Sequence, residues 1–155
     1  MIAWVKHVCQ IWGQEQRRNL LGGRWVRSVG DREWHFDGYP SRSMSDKIFR
    51  EHSAAMSGAV IQHFDDVLSP DGWTVQRVYR TLSEQQRIMM VGQYVARAYW
   101  KTVCAAAGFL DDDGRLAKDR YYDTWDRIHT RIEAAPRETD IRERIPVFIR
   151  EQASG

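Results

Sequence analysis

At 155 residues the chain suits one domain with one core, with room for an N-terminal extension. Hydrophobic residues make up 43% and charged residues 28%, which excludes a disordered chain, and a net charge of +2 permits a polyanionic partner without demanding one. Two cysteines far apart in sequence, Cys9 and Cys104, make neither a disulfide scaffold nor a zinc site, and no apolar run is long enough to span a bilayer.

The N-terminus, MIAWVKHVCQIWGQEQ, is too polar and too rich in Trp for a signal peptide. A cytoplasmic protein with free thiols is therefore expected. Residues 3–20 predict a first helix, with Trp4, Val8, Ile11 and Trp12 on one face and Val5 beside them. Gly13 weakens its second half, residues 14–18 turn it polar, and Gly22-Gly23 ends it.

Residues 22–45 carry no sustained period and predict a long loop. Arg24, Arg27, Arg32 and Arg42 interleave there with Trp25, Trp34, Phe36 and Tyr39. That alternation suits either phosphate contact with stacking or an Arg/Trp hot spot on a protein partner. A loop folded back over the core with its rings buried fits equally well. The candidate protein-binding residues are Arg24, Trp25, Arg27, Trp34 and Arg42.

Ser45 is a candidate cap for a helix over residues 46–68, with Ile48, Ala55, Ala59, Val60, Phe64 and Val67 on its apolar face. His52 and His63 lie on nearly the same side of it. At 1.5 Å per residue they are roughly 16 Å apart, too far for one metal ion. Ser69-Pro70-Asp71-Gly72 reads as a break, followed by a short helix over 73–80 in which Trp73, Val78 and Tyr79 pack onto the next unit.

The most informative stretch is 82–134. Ser83 with Gln86 forms a capping box, and Leu82, Ile88, Val91 and Val95 recur at helical spacing, widened by Met89 and Met90. A second short helix fits 98–107, with Val103 and Ala107 inward, Cys104 allowing close approach and Gly108 as its stop. A third fits 116–134, with Leu116, Tyr121, Trp125, Ile128 and Ile132 on one side. Three consecutive amphipathic helices also suit any small α domain. Their order, short and Gly-terminated before long, is that of a helix-turn-helix and looks like the last region of sigma-type factors.

Charge is distributed as patches. Residues 77–101 hold five basic residues and one Glu, whereas Asp111, Asp112 and Asp113 form an acidic knot. From residue 135 the composition shifts to alternating charge, and Pro136 and Pro146 interrupt any long helix. The expectation is an all-α fold: a single helical domain over 1–134, with 82–134 as the helix-turn-helix unit and 135–155 as a charged tail or short helix.

Chemistry is hard to find. There is no Gly-rich phosphate loop with Lys, no H-E-x-x-H and no C-x-x-C pair. The five His are scattered, and the acidic knot before Gly114 reads as a solvated turn. The expectation is no enzyme, no metal and no cofactor.

The segments WGQEQRRNLLGGRWVRS and GYPSRS, followed by LSEQQR, Tyr94, AAAG and RYYDTWDRIHTRIE, resemble the phage antitermination protein Q group. The resemblance covers most of residues 4–134, and Trp12-Gly13 and Gly38-Tyr39-Pro40-Ser41 are its most telling pieces. It implies a transcription antiterminator that binds double-stranded DNA near a phage late promoter in a bacterial host. Its further partner is bacterial RNA polymerase, with or without its sigma factor, which it makes read through terminators.

Two departures from that pattern stand out. Residues 109–114 (FLDDDG) lengthen a turn in which a Ser normally caps the recognition helix soon after the Gly. The chain also lacks the zinc-binding cysteine cluster of the larger members and so resembles the shorter, metal-free kind. Carried onto this sequence, Arg115, Lys118, Arg120 and Tyr121 are candidate base-reading residues, and Arg97 and Lys101 candidate phosphate contacts. A surface ion pair of Arg120 with Asp119 or Asp123 is the alternative for that residue. A helix-turn-helix-shaped adaptor that inhibits a host protein without touching DNA is the alternative function.

Overall fold

The structure is a computed structural model that describes residues 3–21, 24–26, 35–37, 42–62 and 68–137. Its class is all-α. The helices are α1 (Ala3–Leu21), α2 (Arg42–Gln62), α3 (Pro70–Thr81), α4 (Glu84–Met90), α5 (Trp100–Ala106) and α6 (Lys118–Ala134), with one π-helical turn (Val91–Val95) continuing α4. A short antiparallel ribbon of β1 (Arg24–Val26) and β2 (His35–Asp37) pairs Trp25 with Phe36. The stretch expected to be a loop therefore contains paired backbone.

One continuous core runs through the bundle. Val5, Val8, Cys9 and Trp12 of α1 meet Val75 and Tyr79 of α3, Met89, Met90 and Val95, and Ile128 and Ile132 of α6. Polar groups are buried within it, two of them from the polar stretch 14–18 of α1. Gln16 and Arg17 are both buried. Gln76 Oε1 accepts from Trp12 Nε1 at 2.7 Å and from Gln16 Nε2 at 3.0 Å, while its own Nε2 donates to the Val60 carbonyl at 2.8 Å. Each polar atom of that Gln is thus satisfied, as burial requires.

α2 begins at Arg42, three residues before the expected cap. Ser45 is buried inside it, and its hydroxyl is taken by Arg17 Nη2 at 3.0 Å. The helix kinks at His52 (φ −134°, ψ 28°), and its inward residues are Phe49, Met56 and Val60. Ala55 is exposed and Ile48 only half-buried, so the apolar face lies about one residue round from the expected one. Phe64, Val67 and His63 lie outside the described residues.

Ser69-Pro70-Asp71-Gly72 does not break the chain but starts α3. Ser69 is the N-cap, Pro70 occupies the first turn, and Ser69 Oγ accepts from the Gly72 amide at 3.1 Å. Glu15 of α1 clamps this start, accepting from the Ser69 amide at 2.7 Å and its hydroxyl at 2.6 Å.

The expected capping box opens α4: Ser83 Oγ accepts from the Gln86 amide at 3.2 Å and Gln86 Oε1 from the Ser83 amide at 3.1 Å. The regular helix expected to run on to Val95 widens instead, with the Ala96 amide reaching the Val91 carbonyl at 2.8 Å. A Cβ on Gly92 would stand 2.6 Å from Phe49 and 2.8 Å from Val103, so α2 and α5 close on this turn only because it carries no side chain. Arg17 Nη1 donates to the Val95 carbonyl at 2.9 Å where the turn ends. Arg97 then takes a left-handed φ of 55° and redirects the chain into α5.

Candidate nucleic-acid interface

The start of α5 has no side-chain cap of its own. Asp46 on α2 supplies one, its Oδ1 accepting from the Tyr99 amide at 3.0 Å and its Oδ2 from Thr102 Oγ1 at 3.4 Å. α5 ends as expected at Gly108, whose φ of 83° suits a residue without Cβ.

Residues 107–117 form a closed turn. The Asp111 and Arg115 backbones pair at 2.8 Å, a single bridge joins Leu110 to Leu116, and Asp111 Oδ1 accepts from the Asp113 and Arg115 amides, both at 2.9 Å. One of the three carboxylates thus braces the turn. These bonds order the approach to α6, whose N-cap, Ala117, makes no side-chain capping bond.

α6 buries Tyr121, Trp125, Ile128 and Ile132, as its period predicts. Tyr121 is 1% exposed and packs edge-on against Phe109 and Trp125. This corrects its assignment to base reading: four residues before Trp125 on the inward stripe, it belongs to the core. Burial pushes its hydroxyl up to about 12.

The remaining predicted residues are exposed, and some converge. Lys101 Nζ lies 5.9 Å and Lys118 Nζ 5.6 Å from the Trp100 ring centre, and Lys118 is also 5.9 Å from that of Tyr122. One indole at the start of α5 thus gathers cations from α5 and α6, while Tyr99 (52% exposed) and Tyr122 (45%) stand on the surface nearby. Arg120 turns back along the loop, and its Nη2 donates to the Leu110 carbonyl at 2.8 Å. Arg115 is exposed at the turn.

Trp100 was not singled out from the sequence. Its signal was an aromatic flanked by Tyr99 and Lys101, with Lys118-x-x-x-Tyr122 one helix later.

Trp100, Tyr99 and Tyr122 also border a cleft of about 840 Å³ between α1, the π-helical turn and α6, with Arg97 on its lining. Inside it Tyr94 hydrogen-bonds through its hydroxyl to His129 Nε2 at 2.9 Å, and the His129 ring stacks on Trp125 at 5.0 Å. Burial lowers the His129 pKa to about 4, against a small opposing pull from Asp126, so the ring is neutral at pH 7.

Of the expected protein-binding residues, Arg27 and Trp34 lie outside the described residues, and of Arg24, Trp25 and Arg42 only the backbone is described. Among the described residues no three His, Cys, Asp or Glu side chains gather as metal ligands, and no helix is long and apolar enough to cross a membrane. Comparison with protein-family models, curated proteins and solved structures finds no match to this chain.

Proposed function

We propose that this protein binds double-stranded DNA through the surface where α5 and α6 begin, and acts on transcription as an antiterminator of bacterial RNA polymerase. The observation that supports it is the pair of ammonium groups, Lys101 and Lys118, gathered on the Trp100 ring beside exposed Tyr99 and Tyr122. Cations held on flat aromatic surface suit a phosphate backbone, and affinity for a duplex rests mainly on such contacts. Arg115 at the turn and Lys118 at the first position of α6 are the residues positioned to approach a groove. Arg120, held by the Leu110 carbonyl, sets the turn against α6 and serves a phosphate at most. The role in transcription comes from the resemblance over residues 4–134 and from no geometric feature.

The test is a purified transcription assay alongside gel retardation. The protein should retard a late-promoter duplex in a salt-sensitive way and raise readthrough of a downstream terminator by host RNA polymerase. Retardation without readthrough would keep the DNA contact and remove antitermination. A stoichiometric complex with a host protein and no retarded duplex would select the adaptor reading.

A further inference from the structure

The cleft behind the patch is lined in part by residues of α1 and the π-helical turn that the proposed duplex contact does not use. Lys6, Gln10 and Gln14 stand four residues apart on α1, so they form one row along the cleft wall. Tyr94, Trp125 and His129 also line it, Trp125 being buried, and Gln93 and Arg97 line it from the π-helical turn and the residues after it. At about 840 Å³ it falls within the range of specific ligand sites, roughly 300–1,000 Å³.

The chemistry is mixed in a particular way. Among the described residues, aromatic rings line it, three primary amides supply both donors and acceptors, and Lys6 and Arg97 outnumber the one carboxylate, Asp126. His129 adds no charge at neutral pH because its pKa is lowered to about 4. Flat rings for stacking, amides for polar edges and excess positive charge together match unpaired nucleotides. An aliphatic ligand would make no use of the three amides. A duplex, whose bases are stacked on one another, offers no free base face to these rings.

We infer that this cleft binds one or two unpaired nucleotides, with base faces on the rings of Tyr99, Trp100 and Tyr122, phosphates near Lys6 and Arg97, and the amides of Gln10 and Gln14 on base edges. The choice of ligand rests on the nucleic-acid reading, because Trp100 and Tyr122 belong both to the cleft border and to the duplex patch. A strand leaving a duplex held on that patch would meet the cleft at these shared rings. The two can nevertheless fail separately, since Lys6 and Gln10 lie on α1 and take no part in the α5–α6 surface.

The experiment is fluorescence anisotropy of the full-length protein with a labelled short single-stranded DNA and with the duplex of the same sequence. A Lys6→Ala/Gln10→Ala double variant changes two exposed positions and should fold normally, as circular dichroism will verify. Its single-strand affinity should fall roughly tenfold, with duplex affinity unchanged. A Tyr122→Ala variant should lose single-strand affinity by a similar factor. Should Lys101→Ala leave duplex binding intact while the α1 variant still loses the single strand, the cleft stands and the duplex reading falls. Equal single-strand affinity in wild type and the α1 variant overturns the inference. So does an acidic aromatic peptide that binds the cleft in a protein blind to single strands.

Discussion

The carboxylate of Asp46, in the first half of α2, accepts the backbone N–H of Tyr99 at 3.0 Å, so a residue 53 positions upstream caps the helix that carries Trp100. Asp46 is 7% exposed and also accepts from Thr102, which fixes the carboxylate in place. The surface proposed to meet DNA is therefore set by a contact between distant segments.

Asp46→Ala should destabilise the fold by about 1–2 kcal/mol, the usual cost of a lost N-cap. It should also weaken duplex binding, because the Tyr99–Lys101 segment loses its anchor. Asp46→Asn, which retains an acceptor at the same place, should recover most of both. Urea denaturation and duplex titration of the two variants check this. Equal losses in Ala and Asn variants would show that charge, not the hydrogen bond, holds α5.

Gly13 defines a second close approach. A Cβ placed there would stand 2.1 Å from the Tyr94 carbonyl oxygen, a contact with backbone that no rotamer change relieves. Gly13→Ala would ordinarily favour a helix by about 1 kcal/mol. Here it should destabilise by about 3 kcal/mol, since α1 must move off the π-helical turn. A denaturation midpoint at or above wild type would mean that the two segments do not pack this closely.

His129 gives the fold a pH dependence of known sign. Its folded pKa is lowered to about 4 by burial, while the unfolded chain titrates at the ordinary 6.5. Between those values the unfolded state binds the extra proton, so stability is full above about 6.5 and is lost as the pH falls towards 4. Allowing for solvent screening of this partly exposed ring, the loss is on the order of 1 kcal/mol. His129→Gln, which can still pair with Tyr94, should show a smaller drop over the same range. Parallel stability curves for the two proteins would show that other groups account for the acid sensitivity.

Much of the helical plan was legible because it is local. The Ser83–Gln86 box, the Gly108 stop and the Tyr121–Trp125–Ile128–Ile132 stripe each depend on residues within a turn or two, and each stands as its spacing predicts. What escaped notice depends on long-range partners. Gln16 and Arg17 look like solvated polar residues until Gln76, Val95 and Ser45 are brought to them. Gly13 looks like a helix weakness until Tyr94 arrives. The α2 face is displaced by one residue on both sides of the His52 kink because Phe49, not Ile48, packs inward against Gly92, a partner that no sequence window sees. Tyr121 illustrates the same difficulty at the site. Its position after Arg120 suggested base contact, yet its place on the inward stripe decides for burial.

The most direct test of the account is the salt dependence of duplex binding by the wild type and by the Lys101→Ala/Lys118→Ala double variant, fitted as the logarithm of affinity against the logarithm of salt concentration. Each lysine that neutralises a phosphate contributes about one to the slope. The account predicts weaker binding in the variant and a slope shallower by about two, with unchanged circular dichroism. Matching affinities and slopes for the two proteins would contradict it.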